Sequence, residues 1–206
     1  MLTESQLRIF EPLTNNVLKE YSIKEIKESC DEKSNNALSL ALKRFKDENL
    51  VIERKVGRSL LYIINLENDL VFNYIQWISV KKLPKPVLRA LERVKEDVEK
   101  CTSFFSIVVF GSYVLGKQTK DSDLDIAVFI EEESKRKSVE VAIKSSELKT
   151  PLAIHSHVIS KSEFLEMLKA EEENLGKQIA RKHLSVYNTH IFYSLFKKGV
   201  KNGFIY

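Results

Sequence analysis

The chain has 206 residues, of which 43% are hydrophobic and 30% are charged, and its formal net charge is +4. This composition is typical of a globular protein and excludes a largely disordered or collagen-like chain. No apolar run reaches the ~18–20 residues that span a bilayer, so no membrane partner is expected. The N-terminal sequence lacks the segments of a signal peptide, and two cysteines indicate no disulfide framework, so a cytoplasmic location is expected.

The positive charge is concentrated in the second part of the chain. Residues 1–80 carry 11 Lys and Arg against 12 Asp and Glu, whereas residues 81–206 carry 22 against 17. An excess of this size does not by itself indicate nucleic-acid binding, because binding requires a locally basic surface.

Three short helices are predicted in the first 50 residues. Ser5 and Ser22 can cap the first two, and Ser34, Asn35 or Asn36 can cap the third. The third helix has apolar residues at the spacing of one buried stripe, namely Leu38, Ala41, Leu42 and Phe45.

Beyond the third helix the pattern changes to that of strands. Residues 50–52 and 60–64 are apolar and flank Gly57, which predicts a β-hairpin that turns near this glycine. A further helix is predicted over residues 69–80. Two prolines then predict an extended linker over residues 81–86, with Pro86 in the first turn of the next helix.

Three short helices followed by a hairpin with a basic tip resemble a winged helix-turn-helix domain, over about residues 1–80. In such domains the third helix enters the major groove and the hairpin contacts phosphates. The resemblance implies duplex DNA as a partner, contacted by Asn36, Ser39, Lys43, Lys46, Arg54, Lys55 and Arg58. The alternative is a solvated charged face on a domain used for dimerisation or protein contacts. A homodimer would match a palindromic DNA site.

The second part of the chain begins with a helix over residues 86–100 and a buried strand over residues 104–110. The strand ends at Gly111 and Ser112, where a short helix is predicted to begin. Backbone N–H groups and a hydroxyl at such a turn form an anion-binding corner that suits a triphosphate. Glycine at this position lets a phosphate approach closely.

Asp123 and Asp125 begin the next predicted strand. Residues two apart on a strand point to the same face, so both carboxylates lie together, whereas Leu124 and Ile126 face the core. Two adjacent negative charges are costly unless a divalent cation lies between them. Mg²⁺ commonly combines one or two carboxylates with substrate phosphates. The sequence therefore predicts a metal-dependent phosphoryl or nucleotidyl transfer site.

This segment resembles the signature of the DNA-polymerase-β-like nucleotidyltransferase superfamily, especially its minimal, MNT-type members. Phe110-Gly111-Ser112 is followed, after ten intervening residues, by Asp123-Leu124-Asp125-Ile126. The resemblance implies a small mixed-sheet domain with C-terminal helices over residues 87–206, and hence a two-domain protein of α+β/α/β class. It also implies transfer of a nucleoside monophosphate from a nucleoside triphosphate, with Gly111 and Ser112 binding the triphosphate. Asp123 and Asp125 would be catalytic ligands of Mg²⁺ or Mn²⁺.

The third carboxylate of this family has no counterpart on the next predicted strand, over residues 152–159. His155 stands where an acid is expected, and His157 lies on the same face. Three hypotheses follow. His155 ligates the metal or acts as a catalytic base, or an acid from elsewhere, such as Glu147 or Glu163, takes its place. In the third, the acid is absent, and the site binds a nucleotide or metal without turnover.

Two functions remain open at this point. The first is a Mg²⁺-dependent nucleotidyltransferase that acts on an unknown acceptor and is fused to a DNA-binding module. The second is a catalytically degenerate transcriptional regulator that binds DNA and senses a nucleotide. A weaker third hypothesis is one half of a two-protein toxin–antitoxin system. The helices predicted over residues 134–148 and in the C-terminal third identify no acceptor.

Overall fold

The computed structural model describes residues 1–119 and 122–204. The chain divides into two compact units, Met1–Ile78 and Ser79–Tyr206. Over the described residues, none of the helices combines the length and the apolar character that a membrane crossing requires.

The first unit contains helices packed with a small antiparallel sheet. Its elements are α1 (Glu4–Thr14), β1 (Tyr21–Ser22), α2 (Ile23–Ser29), α3 (Asn35–Asp47), β2 (Val51–Val56), β3 (Ser59–Ile64) and the larger part of α4 (Leu70–Lys81). The strand order is β1-β3-β2, and the hairpin between β2 and β3 turns at Gly57, whose φ is +59°. Phe10 lies at the centre of the core, with its ring centroid 5.1 Å from that of Phe45.

Local hydrogen bonds determine where these helices begin. Ser22 caps α2, as predicted, and Ser34 is the one of the three candidates that caps α3. The cap of α1 is Thr3 and not Ser5. The Thr3 hydroxyl accepts from the N–H of Gln6, and the Gln6 side chain accepts in return from the N–H of Thr3. This reciprocal pair satisfies the backbone N–H groups of Thr3 and Gln6. Ser5 lies inside the helix, so a cap at Ser5 would leave both donors unsatisfied.

The connection between α4 and the next helix is shorter than the linker predicted over residues 81–86. Helix α4 ends at Lys81, and three residues separate it from α5 (Lys85–Glu99). Pro84 is extended and occupies the N-cap of α5, and Pro86 lies in the first turn. Proline is tolerated there because the first N–H groups of a helix have no partner within it.

The second unit is built on a four-stranded mixed sheet. Besides α5 its elements are β4 (Phe105–Val109), α6 (Ser112–Leu115), β5 (Leu124–Ile130), α7 (Arg136–Glu147), β6 (Ile154–Ser160), α8 (Lys161–Lys169), α9 (Leu175–Arg181), β7 (Leu184–Tyr187) and α10 (Thr189–Lys201). The strand order is β6-β5-β4-β7; β5 and β6 are parallel, and the other two pairs are antiparallel. Strand β7 was not predicted, because it has only four residues between two helical segments.

The two faces of this sheet have different neighbours. Leu124, Ile126 and Val128 belong to a core that includes the buried residues of α5 and α7. On the opposite face, the ring of Phe129 lies 4.8 Å from Phe164 of α8 and is also in contact with α10. Because side chains alternate along a strand, Asp125 shares the face of Phe129.

A histidine in the C-terminal part of this unit predicts a loss of stability in acid. His183 Nδ1 is 2.8 Å from the carbonyl oxygen of Ile179, to which it donates, and Nε2 is 2.9 Å from the Tyr193 hydroxyl, from which a neutral ring accepts. Burial lowers the pKa of His183 to about 4. Below its unfolded-state pKa of 6.5, the unfolded chain therefore takes up a proton that the folded chain does not.

We expect the free energy of unfolding to fall by up to about 3 kcal/mol as the pH is lowered from about 7 to 4. Urea unfolding at several pH values measures this dependence. The His183→Gln variant lacks the titrating group and should show a flatter pH dependence than the wild type. An unchanged dependence in the variant would show that other groups cause the loss.

Candidate nucleotidyl transfer site

The register between β4 and β5 brings the Gly-Ser turn to the start of β5. Val109 pairs with Ile126, and the N–H of the following residue, Phe110, donates to the carbonyl of Asp125 (3.1 Å). Gly111 therefore comes directly beside Asp125. Two motifs about ten residues apart in sequence thus meet at one end of the sheet.

Gly111 is required by a close approach to the Asp125 side chain. Its φ is +70°, a conformation that favours glycine, and a Cβ at this position would lie 2.1 Å from Asp125 Oδ2. Ser112 follows as the first residue of the short helix α6 and is half-buried. The carboxylate of Asp125 thus lies against the backbone of the turn that was predicted to bind a triphosphate.

The two aspartates differ in their surroundings. Asp123 lies just before β5 and is exposed, and the Asp125 side chain is only 24% exposed. Leu124, between them, is fully buried on the opposite face of the sheet. Asp125 is therefore partly enclosed beside the Gly-Ser turn, whereas Asp123 is exposed to solvent.

His155 lies on the other side of Asp125. The two residues are register partners on the parallel strands β5 and β6, and His155 Nδ1 is 3.2 Å from Asp125 Oδ1. The His155 side chain is 63% exposed. Asp125 is consequently held between a glycine backbone and an imidazole ring.

His157 lies on the same face but in a different environment. Its register partner is Ala127, and its ring centroid is 4.8 Å from that of His155 and 5.9 Å from that of Phe110. Burial, and secondarily the neighbouring His155, lower the pKa of His157 below its usual value. The contact with Phe110 was not predicted, because Phe110 follows β4 and His157 lies on β6, and these two strands flank β5 only in the folded sheet.

The two glutamates considered as substitutes for the third carboxylate have other structural roles. Glu147 Oε1 accepts from the backbone N–H of Ile154, at the start of β6 (3.4 Å). Glu163 forms the capping box of α8 with Ser160 and an ion pair with Arg136. These contacts place Glu163 at the end of β6 that is remote from His155. Neither glutamate contacts Asp125.

The donor atoms at this end of the sheet fit a divalent cation that is shared with a substrate. Within residues 1–119 and 122–204, no three Asp, Glu, His or Cys side chains are close enough to hold a metal ion by themselves. Asp123 and Asp125 supply hard oxygen atoms, and Mg²⁺ commonly uses one or two carboxylates together with substrate phosphates and water. The residues present therefore suit a cation that arrives with a triphosphate.

Three of the residues predicted to contact DNA line one hollow of the first unit. Ser39, Lys43 and Lys46 of α3 line a hollow of about 350 Å³ between this helix and the β2–β3 hairpin. Asn36 is exposed near the start of α3. The hollow therefore lies between the polar side chains of α3 and the hairpin.

Two of the predicted DNA contacts are already engaged by carboxylates. Lys46 forms an ion pair with Glu53 (2.6 Å), and Arg54 forms one with Glu20 (2.7 Å). Lys55 and Arg58 are exposed in the hairpin. The sequence contained no signal for these pairs, because Glu20 lies 34 residues from Arg54 and meets it only in the folded unit.

Comparison with known proteins adds one finding. A family model described as a nucleotidyltransferase domain matches residues 89–202, more than half of the chain. Searches of curated proteins and of solved structures found no match. The matched segment runs from α5 to the end of α10 and contains the whole four-stranded sheet, with Gly111, Asp123 and Asp125. The chain therefore belongs to the nucleotidyltransferase domain family.

Proposed function

We propose that the protein is a nucleotidyltransferase that depends on Mg²⁺ or Mn²⁺ and transfers a nucleoside monophosphate from a nucleoside triphosphate to an acceptor. The observation that carries the proposal is the juxtaposition of the Asp125 carboxylate with the backbone of Gly111 inside a matched nucleotidyltransferase domain. A carboxylate next to a glycine turn brings a metal ligand next to a phosphate-binding corner.

Each residue of the site has a role in this proposal. Gly111 and Ser112 bind the triphosphate through backbone N–H groups and the serine hydroxyl. Asp123 and Asp125 hold the cation, which neutralises phosphate charge when it is bound. In an in-line displacement the attacking and leaving oxygens lie on opposite sides of the phosphorus. With pyrophosphate leaving on the Gly111 side, the acceptor approaches from the side of His155.

A second candidate is a catalytically degenerate regulator that senses a nucleotide. The observation that favours it is the absence of a carboxylate beside Asp125 on β6, where His155 stands. If His155 acts as a metal ligand or a base, the site remains a catalyst. If it does neither, the site binds a nucleotide without turnover.

A labelling experiment distinguishes these candidates. The protein is incubated with Mg²⁺ or Mn²⁺, a panel of acceptors and nucleoside triphosphates labelled at either the α- or the γ-phosphate. Transfer of the α-label with release of pyrophosphate supports the nucleotidyltransferase. Tight nucleotide binding with no transfer supports the sensor, and the lack of any nucleotide binding contradicts both.

We also propose that the first unit is a winged helix-turn-helix module that binds duplex DNA. The order of its helices and strands supports this, as do the exposed basic side chains of Lys43 on α3 and of Lys55 and Arg58 in the hairpin. Lys46 and Arg54 contribute less, because Glu53 and Glu20 already neutralise them.

This DNA proposal predicts a salt-dependent affinity that specific lysines and arginines control. The Lys43→Ala and Arg58→Ala variants should each reduce the slope of log affinity against log salt concentration by about one. The matched control is Lys19→Ala, because Lys19 is paired with Glu25 (3.0 Å). Titration of a fluorescent duplex at several salt concentrations measures the slope. An affinity that is independent of salt, or equal effects of all three variants, would contradict the proposal.

A further inference from the structure

His155 is the side chain of β6 that the strand register places directly beside Asp125. We propose that His155 provides a nitrogen ligand to the cation held by Asp125, and that the site consequently selects Mn²⁺ over Mg²⁺. This inference rests on the proposed function, because it concerns the cation of the same site. It adds the choice of metal and the residue that determines it.

The distance between the two side chains is compatible with two ligands of a single ion. His155 Nδ1 and Asp125 Oδ1 are 3.2 Å apart. Two adjacent ligands of an octahedral ion, each at about 2.1–2.2 Å from it, are separated by about 3 Å. A cation can therefore replace the direct contact between His155 and Asp125 without a shift of the strands.

The Asp125 side chain is oriented so that one of its two carboxylate oxygens faces His155. Oδ2 lies against Gly111, at a point where even a Cβ could not be accommodated. Oδ1 is the atom that faces His155. The His155 side chain is 63% exposed, so its ring can turn towards a cation with little cost in packing.

The mixed set of donor atoms decides between the two metals. Mg²⁺ is a hard cation that prefers oxygen ligands and gains little from an imidazole. Mn²⁺ also prefers carboxylate and phosphate oxygens, but as the first member of the divalent transition-metal series it binds an imidazole more readily than Mg²⁺ does, and more weakly than the later metals. The imidazole nitrogen of His155 therefore raises the affinity of the site for Mn²⁺ more than its affinity for Mg²⁺.

His157 is the natural control, because it is a second histidine on the same face of the same strand. Its register partner is Ala127 rather than a carboxylate, and its ring is partly buried against Phe110. Removal of its imidazole therefore leaves the nitrogen beside Asp125 in place.

The test measures the metal directly and does not depend on turnover. Mn²⁺ is bound to the full-length protein with a non-hydrolysable α,β-methylene nucleoside triphosphate, and pulsed electron paramagnetic resonance detects coupling to ¹⁴N. The wild type and His157→Ala should show histidine nitrogen coupling, and His155→Ala should not. The dissociation constant of the Mn²⁺ complex should rise by about tenfold or more in His155→Ala, because even the loss of an outer-shell partner costs that much.

The Mg²⁺ complex supplies the comparison. Its dissociation constant should change by less than about threefold in His155→Ala, and His155→Asp, which restores an oxygen donor, should shift the preference towards Mg²⁺. Binding of Mn²⁺ and nucleotide without nitrogen coupling would overturn this inference and leave the proposed function intact. An equal loss for both metals in His155→Ala would also overturn it. No binding of the nucleotide with either metal would overturn the inference together with the proposed function.

Discussion

Asp125→Asn is expected to lower the rate of nucleotidyl transfer by roughly 10³-fold or more, which corresponds to about 4 kcal/mol of transition-state stabilisation. Asparagine keeps the shape of the side chain between Gly111 and His155, so the fold is retained. It removes the negative charge that attracts the cation, and it places an amide where a metal ligand is needed. The measurement is the initial rate of transfer of an α-phosphate label under saturating nucleotide.

The matched control for this variant is another aspartate of the same unit. Asp97 on α5 is bound by Lys100, Lys149 and Ser146, and these partners hold the pKa of its carboxyl well below the usual range. Asp97→Asn removes the same charge away from the site and should leave the rate of transfer unchanged. A rate for Asp125→Asn within tenfold of the wild type would exclude Asp125 as an essential metal ligand.

Gly111→Ala is expected to abolish transfer through geometry rather than charge. The new Cβ would lie 2.1 Å from Asp125 Oδ2, so either the carboxylate or the turn must move. The positive φ of +70° adds strain of about 1–3 kcal/mol for a residue with a side chain. A displacement of the catalytic groups by about 1 Å lowers the rate roughly 10²-fold, so we expect the rate of transfer to fall by at least this factor.

The Gly116→Ala variant distinguishes the effect of backbone strain from that of the steric clash with Asp125. Gly116 also has a positive φ of +65°, and nothing lies within 4 Å of the position of a Cβ. This variant should lose about 1–2 kcal/mol of stability and retain most of its activity. Urea unfolding and the transfer rate, measured on both variants, make the comparison. Equal losses of activity at the two glycines would show that backbone strain, and not contact with Asp125, is responsible.

Local signals predicted a large part of the first unit. The apolar stripe of α3 and the change of period at β2 are properties of short segments, and both are present in the structure. The wrong cap of α1 came from choosing Ser5, although Thr3 and Gln6 have the spacing of a capping box. The ion pair between Arg54 and Glu20 could not be predicted, because it joins residues that meet only after folding.

The candidate site shows the same division between local and distant information. Gly111 follows β4 and Asp125 lies on β5, and these consecutive strands pair with each other, so the proximity of the two residues follows from a short segment of sequence. The side chain opposite Asp125 on β6 depends on distant information, because α7 separates the two strands along the chain. A shift of one residue in the register of β6 would turn His155 to the other face of the sheet.

The amino-acid sequence by itself determined which residues are the candidates for the chemistry, namely the Gly-Ser turn and the pair of aspartates, because spacing along a strand dictates the face on which side chains lie. The sequence also placed His155 where a third acid is expected. Only the tertiary structure decided its contact with Asp125 Oδ1, the fourth strand β7, and the carboxylates paired with two predicted DNA contacts. The physical reason is that the register of β5 and β6 depends on how the helices of the second unit pack on its sheet, and that the ion pair of Arg54 with Glu20 joins segments of the first unit that meet only after folding; no local pattern encodes either.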